Sequence, residues 1–291
     1  TFWQRALIPM QYARLRSNAL TVDVEDYFHV AAFDATVSPA QWPDFPQRVA
    51  HNTEILLQQF DKHQATATFF ILGWVAERYP ELVRQIHAAG HEVASHGYAH
   101  AKASVQTAAE FLQDVSRAKA ILEDITGAEV VGYRAPSFSI GKTNEWAFDV
   151  LQQAGYLYSS STYPVVHDLY GTPDWPQQPY KRTEGIWECP MPVLNKAGKQ
   201  WPIAGGGYFR LLPYWLSKKC IDSYLKQSDA PYMFYFHPWE IDPHQPRFEQ
   251  APFKSKFRHY TNLNRMEAKL VRLLQDYQWR SVKEVYQPYF A

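Results

Sequence analysis

Two hydrophobic periods alternate along this chain, and their alternation restricts its fold more than any other feature. Short apolar runs over residues 19–25, 65–72, 92–95, 130–133 and 156–159 read as strands. Helical spacing fills the gaps: about 44–62, a helix with Pro80 in its first turn and Gly90 past its end, then 107–126 and 144–153. Val49, Ile55, Leu56 and Phe60 make the inner face of the first of these helices. Thr107 and Glu110 form a capping box, and Gly127 supplies the stop. A helix over 213–227 precedes a strand over 232–236, and Met266, Leu270, Leu273 and Leu274 give a helix over 263–277 one apolar side. Such alternation predicts an α/β fold around a parallel sheet, in one domain.

Bulk composition excludes several classes of function. The 291 residues carry 29 basic and 29 acidic side chains, so no global field draws the chain to nucleic acid or acidic membranes. No apolar run approaches the roughly 20 residues of a membrane span. Cys189 and Cys220 form no Cys-x-x-Cys, which argues against a disulfide framework or a thiolate zinc site. Residues 1–18 read as an N-terminal extension in which Arg5, Arg14 and Arg16 flank no apolar core. That does not read as a signal peptide, which leaves the compartment open with the cytoplasm favoured. From 162 to 212 Pro, Gly, Trp and Tyr dominate, which predicts an irregular functional insert, and 243–291 reads as a C-terminal extension. With 10 Trp and 19 Tyr, the chain has aromatic rings for a core and for a cleft that stacks ring-shaped ligands.

Polar residues gather where the strands end. Asp23, Glu25 and Asp26 end the first, His96 and His100 follow the third, Arg134 the fourth and His237 the last. In a parallel sheet these ends open on one face, so residues far apart in sequence would meet there. Two histidines four apart can converge on one ion from a helical turn or a tight loop, with a carboxylate as third ligand. Such a set suits zinc and accepts cobalt, nickel or manganese. A second carboxylate would act as general base with a guanidinium beside it, and His237 could protonate a leaving group.

Taken in order, these motifs resemble the polysaccharide deacetylases of carbohydrate esterase family 4. Thr21-Val22-Asp23 through Asp26 is similar to the family's first motif, in which one Asp is base and the next binds metal. Ser95-His96-Gly97-Tyr98-Ala99-His100 resembles its His-(Ser/Thr)-x-x-His motif, Arg134-Ala135-Pro136 its Arg-x-Pro motif, and Phe236-His237 its final motif. The runs Asp23 to Phe28, Gly205-Gly206-Gly207-Tyr208-Phe209-Arg210 and His237-Pro238-Trp239-Glu240-Ile241-Asp242 resemble the branch associated with bacterial exopolysaccharide export, near allantoinase-like hydrolases.

The resemblance implies a distorted (β/α) barrel of about seven parallel strands that removes N-acetyl groups from the amino sugars of a polysaccharide or its precursor. It implies Asp23 as base, Arg134 as its partner and His237 as acid. A divalent ion, zinc first, would sit on Asp26, His96 and His100, and Tyr208, Arg210 and Trp239 would meet the substrate. Strand periodicity alone places Glu25 rather than Asp26 on the face of Asp23, so Glu25 is the alternative ligand. The chain departs from the family at Tyr158-Ser159-Ser160-Ser161, where an Asp usually orients the catalytic His. Asp168 or Asp242 is the expected substitute, the alternative being a His237 that works with a less raised pKa. Two rivals accompany this reading: hydrolysis of a cyclic ureide such as allantoin, and a non-catalytic glycan-binding protein on the same fold.

Overall fold

The protein is described by a computed structural model covering residues 17–167 and 170–291. The N-terminal extension up to residue 16, and Asp168, lie outside the described residues.

Strand β1 (Asn18–Val24) is buried along its whole length, as a central strand covered on both faces must be. It pairs in parallel with β2 (Thr68–Ile71) on one side and β10 (Met233–Phe236) on the other. From β2 the sheet continues through β3 (Glu92–Ser95), β4 (Gly132–Tyr133), β5 (Tyr158–Ser159) and β7 (Trp187–Glu188), all parallel. Antiparallel β6 (Tyr180–Lys181) ends it beyond β7. The order β10-β1-β2-β3-β4-β5-β7 gives the expected seven parallel strands, and β6 and β10 lie at opposite ends of the order. The sheet curls into a half-barrel.

Alternation along the strands divides the interior. Leu20, Val22 and Val24 face the helices, while Ala19 packs on the inner side with Phe70, Ala94, Tyr158 and Met233. The helices are α1 (Val49–Lys62), α2 (Gly73–Arg78), α3 (Pro80–Ala88), α4 (Ala108–Thr126) and α5 (Trp146–Gln153). In α4 the Thr107/Glu110 capping box is formed, and Gly127 ends the helix in the left-handed region. Helix α1 starts later than its Pro-flanked sequence predicts, because residues 39–44 form a separate 3-10 turn.

Residues 162–212 are more ordered than expected. They hold β6, β7, the hairpin β8 (Val193–Lys196) with β9 (Lys199–Pro202), and α6 (Gly206–Leu211). Strand β7 falls within the strand that the sequence predicts over 186–190, whereas the two-residue β6 is too short to carry a period. After α7 (Tyr214–Gln227) and β10 come α8 (Phe253–Tyr260), α9 (Leu263–Asp276), β11 (Trp279–Arg280), α10 (Val282–Val285) and α11 (Gln287–Phe290). The segment expected as a C-terminal extension is built into the fold. Strand β11 pairs with β1, and Leu270, Leu273 and Trp279 are core residues. Among the described residues, no helix is long and apolar enough to cross a membrane.

Candidate active site

Register aligns the strand ends. Val24 pairs with Ile71, Ile71 with Ser95, and Ser95 with Tyr133, while Val22 pairs with Phe236. The residues that follow therefore emerge together at one end of the half-barrel, where a cavity of about 500 Å³ opens. Asp23, Glu25, His96, His100 and His237 line it, as do Trp239 and Tyr208.

The His pair sits on a loop, not on a helical turn. Gly97 (φ +74°) and His100 (φ +54°) take left-handed backbone, which folds the loop tightly enough to return the second imidazole beside the first. Asp114 of α4 braces the turn by accepting from Tyr98 N at 3.1 Å. Ligand atoms of Glu25, His96 and His100 all lie within 4.8 Å of one another.

The donor set fits a metal ion. His96 Nδ1 lies 2.9 Å from the carbonyl oxygen of Arg134, which can only accept, so Nδ1 carries the proton and Nε2 keeps its lone pair. Burial pushes the His96 pKa down to about 4, keeping the ring neutral as a ligand must be. Glu25 Oε2 stands 2.8 Å from His100 Nε2. Burial alone would raise Glu25, but His100, His237 and His96 outweigh it and hold the carboxyl well below the usual range.

The carboxylate facing the histidines is Glu25, and the structure corrects the expectation for Asp26. Asp26 turns the other way and accepts from the backbone N–H groups of Arg48 at 2.6 Å and Val49 at 2.9 Å, at the start of α1. Tyr27 N donates to its second oxygen. The period of two in β1 keeps Asp23 and Glu25 on the cavity side.

Asp23 Oδ1 receives Arg134 Nη1 at 2.7 Å. The fully buried guanidinium also donates to Thr21 Oγ1, Ser160 O and Ser160 Oγ, so its fork is fixed from three sides. Ser161 Oγ accepts from Ala135 N. The serines that depart from the family pattern thus support the Arg134 loop.

His237 is oriented by a residue the sequence reading did not single out. Its Nδ1 lies 2.9 Å from Glu240 Oε1, and its Nε2 lies 3.3 Å from Glu25 Oε1. Burial opposes the charged imidazolium, yet Glu25 and Glu240 outweigh it and raise the pKa to about 9. Asp242, an expected substitute for this role, instead pairs with Arg48 at 2.7 Å and accepts from Asn52. The signal was present: Glu240 stands three residues after His237, and a 3-10 turn over Pro238–Ile241 brings positions three apart together.

Of the three expected substrate residues, Tyr208 and Trp239 line the cavity and Arg210 does not. Arg210 is 2% exposed, and its Nε binds Glu240 Oε2 at 2.7 Å. A positive charge was needed beside the buried Glu240, and that need takes Arg210 away from the substrate. Trp239 is stacked between His237 (5.1 Å) and His259 (4.1 Å). Of the Gly205–Gly207 run, Gly206 has a steric reason: a Cβ there would collide with the Glu240 carboxylate.

Comparison with known proteins accords with this arrangement. Residues 33–159 match the family model described as Polysaccharide deacetylase, and residues 160–287 match Domain of unknown function (DUF3473). Over 107 residues the chain is 34% identical to the peptidoglycan deacetylase of Helicobacter pylori, covering 36% of this chain and 35% of that protein. The chain thus spans about a third of that relative's length. A crystal structure described as a polysaccharide deacetylase from Mycobacterium smegmatis superposes with a TM-score of 0.60 at 19% identity, covering 99% of this chain and 92% of that one. Puue allantoinase gives 0.58 at 16% identity, covering 99% and 97%. At these identities the structural likeness is one of fold. Residues 33–159 thus match the polysaccharide deacetylase family, and the DUF3473 match follows within the same half-barrel.

Proposed function

We propose that the chain is a metal-dependent N-deacetylase that hydrolyses the acetamide of an amino sugar in a polysaccharide or its precursor, releasing acetate. One observation carries the reading: an arginine-held carboxylate, a Glu–His–His cluster and a carboxylate-held histidine meet on one cavity. Glu25, His96 and His100 would hold the ion, with zinc the best match to the donor set and cobalt, nickel or manganese compatible. When bound, such an ion supplies Lewis acidity toward a carbonyl oxygen and toward water.

The remaining chemistry belongs to side chains. Asp23, fixed by Arg134, accepts the proton of the attacking water as the C–O bond forms. His237, with Nδ1–H fixed on Glu240, gives its Nε2 proton to the amide nitrogen as the C–N bond breaks. Free amine and acetate leave. Glu240 beside Nδ1 favours the charged imidazolium, which lets His237 carry that proton. Tyr208 lines the approach and offers an aromatic ring to a sugar, while Trp239, stacked between His237 and His259, presents its edge.

The test is acetate release from N-acetylglucosamine oligosaccharides after loading with zinc or cobalt. Asp23→Asn is expected to lower kcat by about 10² to 10⁴ with bound metal retained. Turnover of allantoin in place of acetate release would overturn the reading in favour of a ureide hydrolase. Glycan binding with neither metal uptake nor turnover would leave a non-catalytic protein.

A further inference from the structure

The two imidazoles of the Glu–His–His cluster are held in different ways. His96 is anchored twice, by its place at the end of β3 and by the bond between Nδ1 and the carbonyl oxygen of Arg134. Such a second bond is the usual means of orienting a histidine ligand. His100 lacks it. Its Nε2 lies 2.8 Å from Glu25 Oε2, and among the described residues no group hydrogen-bonds its Nδ1. Its backbone is left-handed (φ +54°) although it carries a Cβ, a conformation that persists only where the surroundings over-determine it. The place of His100 is therefore set by the loop before it, Gly97-Tyr98-Ala99.

Two helices hold that loop from behind. The carbonyls of Gly97 and Tyr98 accept from Gly73 N and Trp74 N, both at 2.9 Å, at the start of α2. Gly97 N donates to Ser95 Oγ at 3.2 Å, and Tyr98 N to Asp114 Oδ2 of α4 at 3.1 Å. Burial pushes the Asp114 carboxyl up, and the N–H groups of Tyr98 and Ala99 oppose that shift, so both face the carboxylate. The apposition is close: a Cβ on Gly97 would stand 2.7 Å from Asp114 Oδ2, and one on Gly73 2.7 Å from the Tyr98 ring. Outside, the Tyr98 hydroxyl donates to Glu77 Oε2 at 2.6 Å, and the Arg117 guanidinium lies 3.5 Å over the ring. Those two grip the Tyr98 side chain. Among the described residues, Asp114 is the charged side chain that meets the loop's backbone.

We infer that Asp114 is a positioning residue for the ion: it fixes the loop so that His100 meets Glu25 and His96 before metal arrives. The inference rests on the metal-dependent reading and adds to it a residue that does not line the cavity. Divalent ions then enter a preformed site, and loss of this carboxylate weakens their binding by displacing His100.

Cobalt(II) binding to the full chain tests it, by calorimetry and by the d–d absorption of the bound ion. Asp114→Ala is expected to weaken binding by about 10- to 100-fold and to change the absorption band, because the second imidazole loses its place. Asp114→Asn keeps an acceptor for Tyr98 N–H but loses the charge, and is expected to lose about threefold to tenfold. If the Ala variant does not fold, the Asn variant decides alone. Thr107→Ala is the control. It removes the N-cap of the same helix and so lowers stability, but leaves the Asp114 carboxylate in place. Its affinity and band are expected to match the parent. Unchanged affinity in Asp114→Asn, or an equal loss in Thr107→Ala, overturns the positioning role. Weakened binding in the Asp114 variants of a chain that releases no acetate from N-acetylglucosamine oligosaccharides keeps the role and overturns the deacetylase reading. Acetate release by a parent whose Asp114 variants bind cobalt undiminished does the reverse.

Discussion

At the scale of single residues, Glu240 holds the histidine assigned as acid in the proposed reaction. Its Oε1 holds His237 Nδ1 and its Oε2 holds Arg210 Nε, and all three side chains are out of bulk water or nearly so. Replacing Glu240 with Gln keeps a hydrogen-bond acceptor but removes a negative charge from beside the imidazolium. The folded pKa of His237, about 9, then moves down toward the ordinary value of 6.5. The alkaline limb of kcat/KM is therefore expected to shift to lower pH by about 1 unit or more. A limb that stays in place would show that His237 is not the acid. The raised pKa also links to stability. This contribution is fully present below about pH 6.5 and is lost as pH rises through 9, so the Gln variant loses less stability across that window. Glu240 was within reach of sequence reasoning, because a 3-10 turn follows His237 directly. The resemblance points to Asp168 or Asp242 because a family Asp usually fills the role, and only packing shows that Arg48 has taken Asp242.

At the scale of elements, the end of β1 and the start of α1 share one acidic cluster and divide it. Glu25 continues the inward face of the strand, and Asp26 leaves that face to bind the first N–H groups of α1. Strand periodicity alone gives the correct partner for the histidines, whereas the family motif points one residue too far. The two carboxylates are expected to separate in experiment. Asp26→Ala removes two helix-start hydrogen bonds and should cost about 1–2 kcal/mol of stability while the chain still takes up one metal ion. Glu25→Ala should lose metal affinity, whatever the loss of its pairs with His100 and His237 costs in stability. Calorimetry and elemental analysis of both variants check this; equal metal loss in the two would refute the division. The long elements were legible in general, since α4 and α9 carry caps or a strong apolar stripe. The two-residue β6 was not, because its place is set by its neighbour in the sheet rather than by local pattern.

At the scale of the molecule, the parallel sheet explains why a site scattered from Asp23 to His237 could be anticipated at all. Strand ends of one sense must share a face, whatever the distance along the chain. What the sequence could not show is how many imidazoles that arrangement buries as neutral groups. His29 is held at about 3 and His91 at about 4, both by burial, and burial also drives His259 well below the ordinary 6.5. His91 Nδ1 accepts from Ala67 N, and His29 Nδ1 accepts from Asp26 N, bonds that protonation would break. The unfolded chain takes up these protons near pH 6.5 and the folded chain does not, so stability falls as pH drops below that value. Each group contributes about 1.4 kcal/mol for the first pH unit. Asp26, raised to about 6 by burial, works in the opposite direction below that pH and offsets part of the loss. Between pH 7 and 5.5 the net loss is expected to be roughly 2–4 kcal/mol, read from urea denaturation at the two pH values. His91→Gln keeps an acceptor for Ala67 N–H and cannot titrate, so its loss over the same interval should be smaller by about 1 kcal/mol. An unchanged loss in that variant would mean that His91 is protonated in the folded chain and that the acid sensitivity has another source.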